Sequence, residues 1–220
     1  MPVTLETLTI LSHETMGRDA RLLRLKRPSW SWQAGELVGI LGATPNEQRD
    51  YTICSGEKDE TLDVLYRLIP HGTLTPFLFK KTVGDSVQVQ GPYGRFVLRD
   101  KTRPILFCAT GTGIAPCRAF LHSNPGLNLT LLHGVRYPED LYFQEEFTDI
   151  SYHSFCSRSA LTGMTGRLTE VLHTLPLEPN THVYLCGANE MIYEAEEILA
   201  ARGLDFNSVF HEPYYYRAYD

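Results

Sequence analysis

The stretch CATGTGIAPC, residues 108–117, joins an apolar run to a helix-like segment. It reads G-x-G-x-x-P, whereas the dinucleotide-binding fingerprint reads G-x-G-x-x-G. Gly111 and Gly113 allow a tight backbone turn and let phosphate oxygens approach main-chain N–H groups, because neither residue has a Cβ. Pro116 suits the first turn of a helix, whose N-terminus attracts anions. The stretch alone therefore predicts either a phosphate-binding turn or a plain strand–loop–helix connection.

Strand-like and helix-like segments alternate around this stretch, from about residue 101 onward. The strand-like segments cover residues 104–110, 129–135, 151–157 and 182–187, and the helix-like segments begin at Pro116 or cover 139–147, 166–175 and 189–202. In the last helix, Asn189 is predicted to be the N-cap and Gly203 to end the helix. Such alternation predicts a parallel sheet with helices on both faces.

The first hundred residues show a different pattern of short β-rich segments separated by turn-forming residues. These segments cover residues 3–11, 20–25, 37–41, 51–55, 61–68 and 86–90. Several of them alternate polar and apolar residues, as a strand with one buried face does. The pattern predicts a closed or nearly closed antiparallel barrel. We therefore expect two domains, residues 1–100 and 101–220.

The composition is typical of a soluble globular protein, with 220 residues of which 43% are hydrophobic and 21% charged. No segment approaches the roughly 20 consecutive apolar residues of a membrane span. The N-terminus has no basic region followed by an apolar run, so the sequence predicts no signal peptide and a cytoplasmic location. The five cysteines are odd in number, widely spaced and without a CxxC pair, which argues against a disulfide framework, a zinc site or an iron–sulfur cluster.

Charge is distributed unevenly between the two predicted domains. Residues 1–100 hold 12 basic and 12 acidic side chains, whereas residues 101–220 hold 8 and 14 and so carry the whole net charge of −6. Four basic residues of the first part lie close together in RLLRLKR, namely Arg21, Arg24, Lys26 and Arg27. This cluster is either a solvated strand face or a docking patch for an acidic partner.

Six sequence blocks occur in a fixed order along the chain. They are QRDYTICSG (48–56), GTLTPFL (72–78), GPYGRF (91–96), GTGIAP (111–116), VYLCGANEMI (183–192) and HEPYYY (211–216). Their succession, from about residue 35 to the C-terminus, resembles the ferredoxin–NADP⁺ reductase family of flavoproteins. The resemblance implies a flavin-binding antiparallel β-barrel followed by a Rossmann-like α/β sheet that binds NADP through Gly111, Thr112, Gly113 and Pro116.

The first block implies contacts with the flavin. Alternation along a strand sends Arg49 and Tyr51 to one face and Asp50 and Thr52 to the other. By resemblance, Arg49 pairs with a flavin phosphate, Tyr51 packs on the isoalloxazine ring, and the Thr52 hydroxyl lies near flavin N5. The alternative is that Tyr51 and Thr52 are ordinary strand residues.

Two further segments bear on the identity of the flavin. Gly72, Thr73 and Thr75 would form a turn that offers backbone amides and a hydroxyl to the pyrophosphate. FMN would need little more than Arg49 and this turn, whereas FAD also needs a surface for its adenine. The tail EPYYYRAYD resembles the C-terminal extension that covers the adenine in bacterial members of the family. The resemblance therefore implies FAD, with Tyr214 and Tyr215 as flavin contacts.

The resemblance also implies a site for hydride transfer. Cys186 and Gly187 would lie beside the nicotinamide, Glu212 would orient Cys186 or the nicotinamide, and the Tyr214 ring would cover the flavin face that the nicotinamide must occupy. With Thr52, these residues form the predicted catalytic set, in which no side chain acts as a nucleophile. The alternative for Cys186 is a buried cysteine at the end of a strand.

Residues after the third strand of the second domain favour NADPH over NADH. The segment FCSRSALTGMTGRLTEVL (155–172) resembles a segment of the bacterial reductases. By this resemblance Ser157 and Arg158 would lie near the adenosine ribose, and Arg158 with Arg167 would offer positive donors to a 2′-phosphate. Ser159 stands where the family usually has Glu. Surface salt bridges are the alternative role for both arginines.

Three functions fit the sequence. The first is electron transfer between NADPH and a one-electron carrier, ferredoxin or flavodoxin, which could dock at the RLLRLKR cluster. The second is an NADH-dependent reductase component of an oxygenase, although many of those carry a [2Fe–2S] domain whose clustered cysteines are not found in this sequence. The third is a non-catalytic nucleotide-binding module.

Overall fold

The computed structural model describes residues 3–44, 47–159 and 164–214, which form two compact units. The first unit contains the chain up to Leu98 together with Arg118–Ser123. The second contains Arg99–Cys117 and the chain from Asn124 onward. Within the described ranges, no helix combines the length and the apolar character that a bilayer crossing requires.

The first unit is built on a six-stranded antiparallel sheet. Its strands are β1 (Thr4–Met16), β2 (Ala20–Lys26), β3 (Leu37–Leu41), β4 (Gln48–Thr52), β5 (Thr61–Arg67) and β6 (Ser86–Tyr93), and one short helix, α1 (Leu74–Phe79), lies between β5 and β6. The strand order is β4-β3-β6-β1-β2-β5. An isolated antiparallel bridge between Ile53 and Val64 links the two edges of this sheet. The sheet is therefore barrel-like without being closed by a full ladder, as the sequence pattern predicted.

Alternating apolar side chains fill the interior of this sheet. Ile10, Leu25, Ile40 and Val64 are fully buried there, each on a different strand. The buried Tyr66 lies among them and donates its hydroxyl hydrogen to Nε2 of His13, at 2.7 Å. This polar pair is satisfied internally, because Nδ1 of the same imidazole lies 2.9 Å from the Lys81 carbonyl oxygen.

Three strands in the first unit differ from the prediction by more than one residue at an end. β1 continues to Met16, because its second half pairs with β2. This half is polar, so the alternation of apolar residues in the sequence does not predict it as a strand. β4 ends at Thr52, and the buried residues after it form only the single bridge at Ile53. β6 continues through Gly91 to Tyr93, where it pairs with Leu37, so the predicted end at residue 90 was wrong.

The second unit contains a six-stranded parallel sheet. Its strands are β7 (Ile105–Thr110), β8 (Leu129–Val135), β9 (Ser151–Cys156), β10 (Met164–Thr165), β11 (His182–Gly187) and β12 (Val209–Pro213), in the order β10-β9-β8-β7-β11-β12. The helices are α2 (Ala115–Ser123), α3 (Leu168–Leu172) and α4 (Asn189–Ala201). Strands β8, β9 and β10 are added on one side of β7, and β11 and β12 on its other side, so the strand order reverses between β7 and β11. Ligands of open parallel sheets bind at such a switch point, beyond the carboxyl ends of the strands.

The central strands of this sheet are buried on both faces. Leu106 and Cys108 of β7 and Val183 and Leu185 of β11 pack in one cluster with side chains of α3 and α4. All six residues of β11 are buried. Continuous apolar runs of this kind are typical of parallel strands covered on both faces.

Two helix predictions in the second unit were wrong. The segment 139–147 forms two separate 3₁₀ turns, Pro138–Asp140 and Gln144–Glu146, because Phe143 adopts a left-handed conformation with φ of 60°. Asn189 is the first residue of α4 and not its N-cap, since Ala188 occupies that position with extended backbone.

The predicted end of α4 is confirmed. Gly203 has φ of +79° and donates its N–H to the Ala200 carbonyl, while the Leu204 N–H reaches the Leu199 carbonyl at 3.1 Å. These two bonds form a Schellman motif, which requires a residue in the left-handed conformation at the position of Gly203.

Candidate functional site

The glycine-rich turn lies at the carboxyl end of β7, at the switch point of the parallel sheet. β7 ends at Thr110, residues Gly111–Ile114 form a 3₁₀ turn, and Pro116 lies in the first turn of α2. Gly111 has φ of +52°, and a Cβ built on it would meet no heavy atom within 4 Å. The turn is therefore open on the side of Gly111, where a phosphate group could approach the backbone.

Gly113 serves a different purpose from Gly111. A Cβ on Gly113 would lie 2.3 Å from the carbonyl oxygen of Cys186, the residue before the last residue of β11. The absence of a side chain at Gly113 is thus required by the packing of the turn against β11. Close packing was the role that the sequence fingerprint assigns to its third glycine, and here the second glycine fills it.

The carboxyl ends of β7 and β11 lie in close contact at Thr110 and Gly187. The Thr110 Oγ1 accepts a hydrogen bond from the Ala188 N–H at 2.8 Å. Gly187 has φ of +129°, and a Cβ there would lie 2.2 Å from the same oxygen. This glycine is therefore fixed both by its backbone conformation and by its contact with Thr110.

A buried histidine, which the sequence interpretation missed, lies beneath the turn. The His133 imidazole on β8 is fully buried, with Nε2 3.2 Å from the Gly111 carbonyl oxygen and Nδ1 3.3 Å from the Tyr152 hydroxyl. Burial lowers the pKa of His133 to about 4, partly offset by the bond to Gly111. The imidazole is therefore neutral at physiological pH. Its one signal in the sequence was a polar residue inside the apolar run LTLLHGV.

The predicted residues Cys186, Glu212 and Tyr214 come together at the carboxyl ends of β11 and β12. Cys186 is directly opposite Glu212 in the parallel register, and the Tyr214 N–H donates to the Gly187 carbonyl at 2.8 Å. Cys186 is fully buried. Tyr215, the other predicted aromatic contact, lies outside the described residues.

The thiol of Cys186 is held in its protonated form. Burial is the largest influence and raises its pKa well above the ordinary value, and the nearby negative charge of Glu212 raises it further. A hydrogen bond with the Tyr214 side chain opposes this shift only in part. Since nucleophilic chemistry requires the thiolate, this environment fits a neutral, polarisable contact surface.

Three arginines follow the carboxyl ends of the neighbouring strands β8, β9 and β10. Arg158 follows β9 by two residues, and Arg167 follows the neighbouring β10 by two residues, with Cys156 and Thr165 in register. Arg136, which the sequence interpretation missed, follows β8, and its carbonyl accepts the Arg158 N–H at 3.0 Å. All three side chains are exposed, and Nη1 of Arg167 lies 3.7 Å from Glu194.

Ser157 occupies the turn between β9 and Arg158. Its N–H donates to the Val135 carbonyl at 3.0 Å, and its hydroxyl lies 3.4 Å from the same oxygen. These bonds fix the backbone from which the Arg158 side chain extends.

The predicted flavin residues of the first unit lie on β4. Gln48 and Asp50 both contact the Tyr93 hydroxyl, at 3.1 and 2.6 Å, so they share a face of the strand. Tyr51 points the other way and packs edge-on against Tyr66, with ring centroids 6.2 Å apart. Thr52 is buried at the end of the strand.

Arg49 is the exposed cation of β4. Its side chain extends from the strand at the position before Asp50, and its Nη1 donates to the Gln48 carbonyl at 2.7 Å. A guanidinium has further donors beyond this one bond, as pairing with a phosphate would require.

The turn before α1 is closed by its own threonine. The buried Thr75 hydroxyl accepts the Ile69 N–H at 2.9 Å and lies 3.3 Å from the Ile69 carbonyl oxygen. Gly72 donates its N–H to the same carbonyl, and Thr73 occupies the N-cap position of α1 without a side-chain cap. In this structure the Thr75 hydroxyl holds the loop in shape.

Most of the RLLRLKR cluster is engaged in internal contacts. Arg21 lies over the Phe79 ring at 4.5 Å, and Arg24 pairs with Glu14 and with Asp63. Arg27 lies over the Trp32 ring and donates to backbone carbonyls of residues 57 and 59. Lys26 is the most exposed of the four basic residues.

Two sequence families match this chain in succession. The family described as oxidoreductase FAD-binding domain matches residues 7–98, and the family described as oxidoreductase NAD-binding domain matches residues 107–197. The two matches together extend over both units of the structure.

Curated relatives include reductases of several systems. The chain is 29% identical to the toluate 1,2-dioxygenase electron transfer component of Pseudomonas putida, over 82% of this chain and 58% of the relative. It is 32% identical to the aromatic O-demethylase reductase subunit of Amycolatopsis, over 66% of this chain and 47% of the relative. The chain thus spans about half of the length of these two relatives. Ferredoxin–NADP reductase B of Sorangium cellulosum is 26% identical, over 84% of this chain and 85% of that protein.

Solved structures share the fold of both units. A cytochrome P450 reductase from Amycolatopsis superposes with a TM-score of 0.86 at 25% identity, over 96% of this chain and 70% of that structure. A ferredoxin NADP⁺ reductase from Neisseria gonorrhoeae, solved with bound FAD and NADP, superposes with a TM-score of 0.85 at 22% identity, over 95% and 98%. With an FAD-binding domain followed by an NAD-binding domain, the chain belongs to the ferredoxin–NADP⁺ reductase family of oxidoreductases.

Proposed function

We propose that this protein transfers electrons between NADPH and a one-electron carrier, ferredoxin or flavodoxin, by way of bound FAD. One observation carries the proposal: the carboxyl edge of the parallel sheet combines the open Gly111 turn with the contiguous set Cys186, Glu212 and Tyr214. The first feature is suited to a pyrophosphate and the second to a flat, neutral ring. A dinucleotide contains both.

The residues of the second unit fit a dinucleotide. The space above Gly111 would be filled by any side chain at that position, and α2 begins directly after the turn. A helix N-terminus and its backbone N–H groups favour negative charge. We assign Gly111, Thr112 and Pro116 to the pyrophosphate, with Gly113 and Gly187 allowing the close approach of the two strand ends.

The residues of the first unit fit the flavin. Bound FAD supplies the conversion between two-electron and one-electron transfer, which no side chain of this protein provides. We assign Arg49 to the flavin phosphate, Tyr51 to the ring face and Thr52 to the region of N5. The backbone amides of Gly72 and Thr73 would contact the pyrophosphate, with Thr75 holding the loop that presents them.

Cys186 and Glu212 would orient the nicotinamide. The protonated thiol offers a compact, polarisable surface beside Gly187, and Glu212 holds a negative charge next to it. Cys186 is completely buried in this structure, so the nicotinamide would reach the thiol only after the side chains that cover it move. The predicted roles of Tyr214 and Tyr215 as covers of the flavin stay predictions.

The arginines support a preference for NADPH. Arg158 and Arg167 extend from neighbouring strands at one edge of the sheet, and Arg136 adds a third cation there. A 2′-phosphate is recognised by such a group of guanidinium donors, whereas an NAD site more often presents a carboxylate to the 2′-hydroxyl.

A second candidate function is the reductase component of an oxygenase system. The toluate dioxygenase and aromatic O-demethylase relatives favour it. Both candidates use the same flavin chemistry and differ in the nucleotide and in the electron acceptor. A reductase of this second kind is expected to oxidise NADH at least as efficiently as NADPH.

Anaerobic titration tests both candidates. Purified protein loaded with flavin is titrated with NADPH and, separately, with NADH, and the released flavin is identified after denaturation. The proposal expects FAD, and bleaching of its visible absorption by NADPH at far lower concentration than by NADH. An equal response to both nucleotides favours the oxygenase component. If neither NADPH nor NADH reduces the bound flavin, the result favours the non-catalytic nucleotide-binding module. Protein that binds no flavin contradicts the proposal altogether.

A further inference from the structure

The His133 side chain connects β8 to the glycine turn without lying in the turn itself. β8 is the neighbour of β7, with His133 opposite Ala109 in the parallel register. Its imidazole reaches the first residue after β7 and contacts the Gly111 carbonyl oxygen through Nε2, at 3.2 Å. The other ring nitrogen contacts the Tyr152 hydroxyl on β9.

These two contacts determine the tautomer of the imidazole. A carbonyl oxygen can only accept a hydrogen bond, so Nε2 must carry the hydrogen and donate to Gly111. In a neutral imidazole Nδ1 is then an acceptor, and the Tyr152 hydroxyl donates to it. Burial lowers the pKa of His133 to about 4, so this neutral form persists through the physiological range.

The bond from His133 fixes the orientation of a peptide group in the turn. The C=O and N–H of a trans peptide point in opposite directions. When His133 holds the Gly111 carbonyl toward β8, the N–H of the same peptide, which belongs to Thr112, is directed away from the imidazole. Gly111 has a positive φ and no Cβ, so its backbone can adopt more conformations than that of another residue, and an external restraint therefore has an effect here.

Packing alone does not account for a histidine at this position. The adjacent Leu131 and Leu132 of β8 are fully buried and apolar. Burying an imidazole costs free energy unless its polar atoms are hydrogen-bonded, and an apolar residue would avoid that cost. The imidazole is tolerated because both of its nitrogen atoms have partners, and one of these partners is the turn.

We propose that His133, oriented by Tyr152, is a positioning residue that sets the affinity of the glycine turn for the pyrophosphate of a dinucleotide. His133 itself touches no ligand. The inference rests on the proposed function, because it takes the Gly111 turn as the pyrophosphate site. It adds that the affinity of this site depends on a hydrogen bond from below the turn.

Matched substitutions at His133 test the inference. His133→Gln places an amide donor near the position of Nε2, whereas His133→Asn places it nearer Nδ1 and so out of reach of Gly111. His133→Leu removes the donor and keeps an apolar side chain. Dissociation constants are measured for NADP⁺, which contains the pyrophosphate, and for adenosine 2′-monophosphate, which does not.

The expected result is a loss confined to the ligand with the pyrophosphate. His133→Leu and His133→Asn should bind NADP⁺ about fivefold to tenfold more weakly, as the loss of one hydrogen bond predicts. His133→Gln should bind NADP⁺ close to the wild-type level, and all three variants should bind adenosine 2′-monophosphate like the wild type. In turnover the loss should raise KM for NADPH and leave kcat unchanged.

Other outcomes overturn the inference in distinguishable ways. Unchanged NADP⁺ affinity in His133→Leu and His133→Asn would show that the hydrogen bond has no effect on binding. Equal weakening of both ligands would indicate general structural damage. If His133→Leu does not fold, the Gln and Asn pair and Tyr152→Phe carry the same comparison, and Tyr152→Phe should weaken NADP⁺ alone. Wild-type protein that binds neither NADP⁺ nor NAD⁺ would instead remove the proposed function.

Discussion

Thr110 and Ala188 are joined by a hydrogen bond of 2.8 Å from the Ala188 N–H to the Thr110 Oγ1. This bond ties the end of β7 to the N-cap of α4, across the switch point of the parallel sheet. It also supplies a partner for a backbone group that the helix itself leaves unsatisfied at its start.

Thr110→Val should destabilise the protein. Valine keeps the shape of threonine but cannot accept the hydrogen bond, so the Ala188 N–H loses its partner. We expect the free energy of unfolding to fall by about 1–2 kcal/mol, measured by chemical denaturation. Thr110→Ser keeps the acceptor and serves as the control. Equal stability of the valine variant and the wild type would contradict a stabilising role for this bond.

Gly113→Ala should be more damaging than substitution of a glycine with open surroundings. The new Cβ would lie 2.3 Å from the Cys186 carbonyl oxygen, so backbone atoms would have to move. We expect a loss of about 3 kcal/mol or more in the free energy of unfolding. Gly126→Ala is the matched control, because Gly126 has φ of +83° with no heavy atom within 4 Å of a Cβ. It should lose only about 1 kcal/mol, from backbone strain.

His133 should make stability depend on pH. The folded protein keeps this imidazole neutral down to about pH 4, whereas the unfolded chain protonates it below its ordinary value of 6.5. The stability that depends on the neutral form is therefore fully present above pH 6.5 and is lost as the pH falls to about 4. The loss should be on the order of 3 kcal/mol.

Comparison with His133→Gln isolates this dependence. Unfolding free energies of both proteins are measured between pH 7 and pH 4, and the wild type should lose stability relative to the variant across that range. A difference that does not change with pH would be inconsistent with a buried neutral imidazole.

Arg158→Ala should change the choice of nucleotide. Removing one charged donor to a 2′-phosphate should lower kcat/KM for NADPH by about tenfold or more and leave the value for NADH unchanged. Arg103→Ala removes a partly exposed arginine that pairs with Asp100 at the opposite end of β7, and it should affect neither nucleotide. The assignment fails if the ratio of the two kcat/KM values is the same in Arg158→Ala and in the wild type.

Lys26 should contribute to docking of an acidic carrier. The arginines of its cluster are engaged in internal contacts, so Lys26 offers the most accessible charge. Carrier reduction by the wild type should slow as ionic strength rises. Lys26→Glu should reduce this rate at low salt, whereas Lys101→Glu, with the same charge change on an exposed residue of the second unit, should not. Identical rates in the two variants would exclude this patch.

Periodicity predicted the elements whose residues are buried in a regular pattern. β3 was predicted with its observed bounds, and the fully buried runs of β7 and β11 were identified from their apolar character. The sequence alone identifies such strands, because burial on both faces determines which residues they contain.

Where tertiary contacts override local pattern, the predictions were wrong. Residues 139–147 have apolar side chains at helical spacing. However, the chain turns at Phe143, and Tyr142, Phe143 and Phe147 are buried by this turn and not by a helix. The second half of β1 is polar and becomes a strand only through its pairing with β2. Neither the reversal nor the pairing has a local signal.

The site followed the same division. Cys186 and Glu212 could be named in advance because they belong to sequence blocks, and their opposition in register is a consequence of strand pairing. His133 and Arg136 could not be placed, because their importance depends on which strands are neighbours. His133 becomes notable only once β8 lies beside β7.

The contact between Gly113 and Cys186 has a consequence for descendants of this protein. A lineage that abandoned its nucleotide would be released from the need for an open surface at position 111, where substitution meets no obstacle except backbone strain. Position 113 would stay constrained by the neighbouring strand. Gly113 is therefore required by the fold itself, whereas replacement of Gly111 would indicate that the nucleotide is no longer bound.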